Sequence, residues 1–436
     1  MSRLRDAVYC LLALLAIPYW LWGAWRHAKY RQGWSQKLLG NVPEAPRDRV
    51  VVWLHAVSLG EVNLLGTLIA ALRRERPDVH CYITTTTRTG YESACKRYSD
   101  FAQISYFPFD FSWAVRRALR RVRPHAIVLA ELEVWPNLIH FATEQGIPVT
   151  IANGRLSPRS FRGYRRIRAW LNATFARVDR IGAQTREYAA RFEALGARPE
   201  RVFVTGSLKF DGAESNRAND RTVALQELAG FTAEQTVLLA GSTFPPEEEI
   251  LVEVYRRVAP DFPELRMVIV PRHPERFAEV AEILAKSGLP WSRRSELLPE
   301  RPAEGILLVD TIGELGAWWG TADLAYVGGS MGSRGGQNMI EPAAYGAAVS
   351  FGPQTTNFRD IVQLMHQADA AVTVQDAEQL EAFVRRGLTD RAWRQEMGQR
   401  AAELVRLNQG ATQRTVQMLL PLLPAPLSAP AGCQAA

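Results

Sequence analysis

The stretch GGSMGSRGGQNMIEPAAYG, residues 328–346, packs five glycines around one arginine and then turns into Asn338, Met339, Ile340, Glu341 and Pro342. Glycine admits positive φ and a close approach of the backbone, so successive amides here can form a nest for an anion such as a phosphate. A helix beginning at Asn338–Glu341 would add its own partial positive charge. Glu341, inside that helix, is placed to accept the two hydroxyls of a ribose. Arg334, Gly335, Gly336 and Gln337 are further possible contacts. A plain glycine-rich turn would account for the same residues without any ligand.

Other chemistry-bearing residues follow apolar runs. HAVSLGE (55–61) puts Ser58 and Gly60, two further possible donor contacts, at the start of a helical pattern and Glu61 in its first turn. A carboxylate there is a candidate base, and it also has the ordinary explanation that a helix N-terminus stabilises an anion. ELEVWPN (131–137) holds Glu131 and Glu133 two residues apart. If the preceding strand persists, both point to one face, with a salt bridge the default role for one of them. GSLKFD (206–211) carries Lys209, ordinarily a solvated residue, close to a change in sequence rhythm. VPRHP (270–274) sets Arg272 and His273 between Pro271 and Pro274, and the planar fork of arginine suits phosphate. DTIGEL (310–315) supplies Ile312, Gly313 and Glu314, with Gly313 placed to bare backbone amides.

The elements that must position these residues are short apolar runs alternating with helical patterns. RVVVWLHAV, VHCYITTT, HAIVLAEL and IPVTIANG read as buried strands, then TVLLAGST, LRMVIVPRHP, GILLVDT, ADLAYVGGS and AAVSFGP as a second set. This rhythm predicts an α/β fold of two doubly wound, Rossmann-like domains, with ligands outside the carboxyl ends of the strands. The break falls near GSLKFDGAESNRAND (206–220). The expected domains are an anchor over 1–30, an N-terminal domain over 31–212, a C-terminal domain over 213–424 and a Pro/Ala-rich tail over 425–436. A chain of 436 residues, 47% hydrophobic and 22% charged, has the material for two such cores.

The uncharged run AVYCLLALLAIPYWLWGAW (7–25) is nineteen residues long, close to the roughly 20 that cross a bilayer as a helix. Arg26, Lys29, Arg31 and Lys37 follow it, which by the positive-inside rule leaves the rest of the chain in the cytoplasm. Pro18 could instead bend the segment into the interface. The net charge of +7 is concentrated in RRALRRVR (116–123) and RLSPRSFRGYRRIRAW (155–170). The second run interleaves Phe161, Tyr164 and Trp170 with Arg162, Arg165 and Arg166, a pattern suited to a membrane surface or an acceptor carrying phosphates. A solvated helix face is the ordinary alternative for both. Cys10, Cys81, Cys95 and Cys433 show no metal or disulfide spacing. The GxGxxG and GxxxxGK[ST] fingerprints are absent, as is HExxH, which removes support for dinucleotide, P-loop and zincin chemistry.

Taken in order, HAVSLGE, ELEVWPN, NGRLS, GSLKFD, PRHPERF, DTIGEL and RGGQNMIEPAA resemble the bacterial 3-deoxy-D-manno-octulosonic acid (Kdo) transferases, glycosyltransferases of the GT-B fold. The resemblance covers nearly the whole chain. It implies two Rossmann-like domains facing across a cleft, with an N-terminal membrane-anchor helix. It also implies transfer of Kdo from CMP-Kdo to a lipid A precursor, lipid IVA, at the cytoplasmic face of the inner membrane. The reaction would be an inverting displacement with no metal, no cofactor and no nucleic-acid partner. By the same resemblance Glu61 is the general base, and Glu131 and Lys209 stabilise the transition state. Pro271, Arg272, Ile312, Gly313, Glu314, Asn338, Met339, Ile340 and Glu341 would bind CMP. Two positions depart from the family pattern: Gln337 where RGGHN is usual, and Phe244 where GSTH is usual. A different GT-B enzyme using a UDP-sugar, or a membrane-tethered scaffold without activity, are the competing readings.

Overall fold

A computed structural model describes residues 5–11, 32–298, 300 and 302–426. It divides into two compact units. One comprises the chain up to Asp211 together with the stretch from Gln409 onward, and the other runs from Gly212 to Asn408. The C-terminal residues 409–424 therefore belong with the first unit, which corrects the expectation that they complete the second. The reason lies in side-chain chemistry. Asp211 caps the returning chain by accepting the amides of Gly410 (2.7 Å) and Thr412. Arg414 donates to the Thr205 carbonyl at 2.8 Å. Ala411, Val416 and Leu419 of the helix Ala411–Leu419 join the core that holds Val62, Leu65 and Leu68.

In the first unit seven parallel strands are β1 (Val50–His55), β2 (Val79–Thr85), β3 (Ala102–Tyr106), β4 (Ala126–Ala130), β5 (Val149–Gly154), β6 (Arg180–Ala183) and β7 (Val202–Val204). Their order is β3-β2-β1-β4-β5-β6-β7. All six residues of β1 are buried, and the two-residue side-chain period sorts them. Val51 and Trp53 enter the core on one face, and Val50, Val52 and Leu54 the core on the other. Helices cover both faces, so the strand reads as an unbroken apolar run.

The second unit repeats the plan with β8 (Thr236–Thr243), β9 (Leu265–Pro271), β10 (Trp291–Arg293), β11 (Ile306–Leu308), β12 (Leu324–Val327), β13 (Ala348–Phe351) and β14 (Ala371–Thr373). The order is β10-β11-β9-β8-β12-β13-β14, again all parallel. Each sheet reverses its winding beside its first strand, between β1 and β4 and between β8 and β12. Ligands of open α/β sheets bind at such switch points, outside the carboxyl ends of the strands.

The run 7–25 lies outside the described residues beyond Leu11, as does the tail from residue 427. Among the described residues no helix is long and apolar enough to cross a membrane. Residues 5–11 are tied to the first unit: the Arg5 guanidinium donates to the Pro136 carbonyl (3.1 Å) and the Tyr9 hydroxyl to Asp110 (3.1 Å).

Candidate functional site

Parallel register sets the carboxyl edge of the first sheet. His55 of β1 pairs with Leu129, Ala130 with Ala152, Gly154 with Ala183, and Ala183 with Val204. The segments that leave these strands therefore emerge along one edge, Val57–Glu61, Glu131–Glu133 and Gly206–Lys209, with Asn153 near the end of β5 beside them. The helix Leu59–Glu75 starts from Ser58, whose side chain makes no cap bond to the helix amides. Its hydroxyl instead donates to Glu61 at 3.0 Å, and the Val57 amide donates to the other Glu61 oxygen at 2.7 Å. Glu61 is thus held half-buried at a helix N-terminus. Burial pushes its carboxyl above the usual range, and the nearby Glu131 charge adds to the rise, against the two hydrogen bonds.

β4 ends at Ala130, and Glu131 takes a left-handed φ of 55°. The strand alternation expected to align Glu131 with Glu133 therefore does not extend to them. A non-glycine residue in that region stores strain, and here it turns the chain at the switch point. The three glutamates nonetheless converge. Glu133 is pushed up to about 7, first by burial and then by the charges of Glu61 and Glu131. Lys209 follows Leu208, whose amide donates to the buried Asn153 side chain at 3.0 Å. Beneath this edge His55 is fully buried and stacked on Phe107 with ring centroids 3.7 Å apart. Burial lowers its pKa to about 3, so it is a neutral packing residue with its Nδ1 on Thr84.

The second sheet's edge collects the remaining candidates. Thr243 pairs with Pro271, and Gly241 with Val327, so Phe244, Arg272 and Gly328 emerge side by side. Asn338 donates to Glu341 at 2.9 Å and accepts the Ile340 amide. Burial raises the Glu341 carboxyl, while the Asn338 bond and the Arg272 charge pull it down. The helix expected from Asn338 is five residues, Ile340–Ala344, and the one near Gly313 is four, Leu315–Trp318. Glu314 is committed elsewhere. Arg294 grips it with two bonds of 2.9 and 2.8 Å, and the Thr311 hydroxyl donates at 2.7 Å. Burial opposes its ionisation, but Thr311 and Arg294 outweigh that and leave it below the usual range. What DTIGEL can offer a ligand is its backbone at the exposed Ile312 and at Gly313, whose φ is 88°.

The glycine-rich loop differs from the expectation that its amides await a phosphate. The amides of Gly329 (2.8 Å), Ser330 (2.8 Å) and Met331 (3.0 Å) all donate to the carboxylate of Glu247. The nest exists, and its anion is internal. The bare backbone serves close packing as well: a Cβ on Gly328 would lie 2.6 Å from the Ser242 carbonyl oxygen. Residues 328–332 also spell the G-x-S-x-G of a nucleophile elbow, but Ser330 is fully buried. Its hydroxyl donates to the Val327 carbonyl at 2.6 Å and accepts the Gly352 amide at 2.8 Å.

The two departures from the family pattern are neighbours. A Cβ on Gly329 would sit 3.2 Å from the Gln337 side chain and 3.4 Å from the Phe244 ring. Phe244 also carries the Arg334 guanidinium 5.0 Å from its ring centroid and meets His273 edge-on at 5.4 Å. The arginines proposed for the acceptor lie on the helix Pro158–Arg166, which turns Phe161 and Tyr164 toward the core and leaves Arg162, Arg165 and Arg166 exposed. Ile167 and Trp170 beside them are 51% and 50% exposed. Reasoning from sequence missed Glu247, because PPEEEI reads as an acidic helix start like many others.

The sequence profile of the family described as 3-Deoxy-D-manno-octulosonic-acid transferase (kdotransferase) matches residues 28–212. A 3-deoxy-D-manno-octulosonic acid transferase of Haemophilus influenzae is 32% identical over 423 residues, spanning 96% of this chain and 96% of that protein. One from Bordetella pertussis is 36% identical over 439 residues, spanning 94% and 98%. Among solved structures, the UDP-GlcNAc 2-epimerase of Neisseria meningitidis bound to UDP-GlcNAc matches with a TM-score of 0.56 at 12% identity, over 85% of this chain and 100% of that one. That last likeness is one of fold.

Proposed function

This chain belongs to the 3-deoxy-D-manno-octulosonic acid (Kdo) transferases, a class of glycosyltransferase enzymes, and we propose that it moves Kdo from CMP-Kdo to the lipid A precursor lipid IVA during lipopolysaccharide assembly. The observation that carries this reading is Glu61: a carboxylate held by the Val57 amide and the Ser58 hydroxyl at the switch point of the first sheet, crowded by Glu131 and Glu133. A carboxyl raised above its usual range is a stronger base than free glutamate, which suits proton removal from a sugar hydroxyl.

As that hydroxyl oxygen bonds to the anomeric carbon, its proton passes to Glu61. The bond from the anomeric carbon to the phosphate oxygen breaks, and CMP leaves with the electron pair. One displacement inverts the centre. Lys209 and Glu131 act on the charge that develops, and Arg272 offers the departing phosphate a fixed positive charge. Asn338 and Glu341 take the ribose. Pro271, Ile312, Gly313, Glu314, Met339 and Ile340 complete the CMP contacts, Glu314 through its backbone because its carboxylate belongs to Arg294.

The acceptor stays in its bilayer, so the enzyme works at the cytoplasmic face of the inner membrane. The apolar run 7–25 and the exposed Arg162, Arg165, Arg166, Ile167 and Trp170 support that placement. Reversing the three arginines to glutamate is expected to weaken sedimentation with anionic vesicles at least tenfold, since each basic residue near such a surface contributes about 1 kcal/mol. Unchanged sedimentation would remove this face from the membrane contact.

The deciding assay is mass spectrometry of lipid IVA incubated with CMP-Kdo and purified protein in EDTA, beside Glu61→Gln. Kdo added by the wild type alone supports donor, acceptor and base together. Product from a UDP-sugar in its place would overturn the donor, and equal product from both proteins would remove Glu61 as the base.

A further inference from the structure

Glu247 opens the helix Glu247–Val258 after β8 and is 1% exposed. A carboxylate so far from water is tolerated only when its lone pairs are filled. Here they are. The Phe244 amide donates to Oε2 at 2.9 Å and the Gly329 amide at 2.8 Å. Oε1 accepts the amides of Ser330 and Met331 and the Tyr326 hydroxyl, the last at 2.9 Å. Burial and the Glu247 charge together push the Tyr326 phenol well up, as a donor beside a carboxylate should be.

The bonds reach further than one loop. Ser330, fixed by Glu247, accepts the Gly352 amide on its hydroxyl and the Gln354 amide on its carbonyl at 2.8 Å. One side chain thus joins the segments leaving β8, β12 and β13. Those segments carry or touch the donor-side residues. Gly329 borders Gln337, and Phe244 supports Arg334.

From this geometry we propose that Glu247 is a positioning residue for the donor site, an internal anion that occupies the glycine nest and sets the backbone on which CMP binds. The proposal rests on the reading that the second unit binds CMP, and it deepens it. It has a chemical corollary. Because the 329–331 amides are taken, the phosphate of CMP is held by donors other than these three, Arg272 among them.

The test is calorimetric titration of CMP into wild type, Glu247→Gln and Glu247→Asp, with a thermal melt of each. Glu247→Gln presents an NH2 group to amides that need an acceptor, so CMP affinity is expected to fall about tenfold or more. Glu247→Asp keeps the charge and is expected to recover part of that loss. A lowered melting temperature with CMP affinity unchanged in the folded protein would reduce Glu247 to general stability and overturn the proposal. Failure of the wild type to bind CMP would instead refute the reading beneath it. Hydrogen exchange of residues 326–331 in the wild type covers the case in which neither variant folds. Slow exchange without CMP, unchanged on adding it, is expected, and amides that exchange fast until CMP protects them would overturn the proposal.

Discussion

Glu61 and Glu247 occupy the same place in the two units. Each lies in the first turn of the helix after the first strand of its sheet, beside the switch point, and each accepts an amide from the turn just before the helix. Their surroundings then diverge. Glu61 has two donors from its own turn and two further glutamates as neighbours, and its pKa rises. Glu247 has four amides and a tyrosine hydroxyl, three of the amides and the hydroxyl coming from residues 326–331. The topology supplies both carboxylates with a helix dipole and one amide. The loop that comes to meet them decides whether the carboxylate is crowded by other acids or filled by donors.

The same contrast extends along the two edges. Two acids of the second unit are paired with arginine: Glu248 with Arg276 and Glu314 with Arg294. The first crowds three glutamates together. Crowding costs stability and raises basicity, which suits the proton transfer proposed for Glu61.

The sharpest way to break this comparison is Glu61→Gln. If Glu61 is the reactive partner, turnover falls about 100- to 10,000-fold, the usual contribution of a positioned base. CMP affinity in a titration is expected to stay as in the wild type, because the CMP contacts proposed above lie in the second unit. Arg272→Ala should do the reverse: CMP binding weakens about tenfold to a hundredfold, the scale of a lost charge-assisted bond. Its turnover at saturating donor should fall by less than its affinity. An equal loss of both would mean that Arg272 acts chiefly on the departing phosphate.

The smallest effect sharpens the crowding argument. Glu133 carries a pKa near 7 in the folded chain against an ordinary 4.5. Between those values the folded state binds more protons than the unfolded one, so stability is lost as pH rises through the window. Glu133→Gln removes that loss. Its melting temperature should match the wild type at pH 4.5 and exceed it by a few degrees at pH 8. A constant difference across the range would show that burial and crowding do not act on Glu133.

Much of the fold was legible because buried parallel strands write themselves as continuous apolar runs. The nine runs read as strands correspond to β1, β2, β4, β5, β8, β9, β11, β12 and β13. Of the missed ones, β3, β7, β10 and β14 are edge strands and β6 lies next to one, and all except β3 are only three or four residues long. Half-covered edges need fewer apolar residues, so β10, with Trp291, Ser292 and Arg293, leaves no such signal. The return of the C-terminal helix to the first unit was equally invisible. It depends on Asp211 meeting Gly410 and Thr412 some two hundred positions later in the chain.

At the candidate sites the division is similar. Sequence alone determined that Glu61 lies in the first turn of a helix after a buried strand, that Arg272 follows another strand, and that residues 328–336 are glycine-rich, because residue type and local period act over one turn or one strand. Only the tertiary structure decided that Glu131 breaks its strand yet still approaches Glu61, that Glu314 serves Arg294, and that the glycine amides close on Glu247. Those outcomes depend on which loops parallel register brings side by side, and a carboxylate's chemistry is set by the donors and charges that reach it through space.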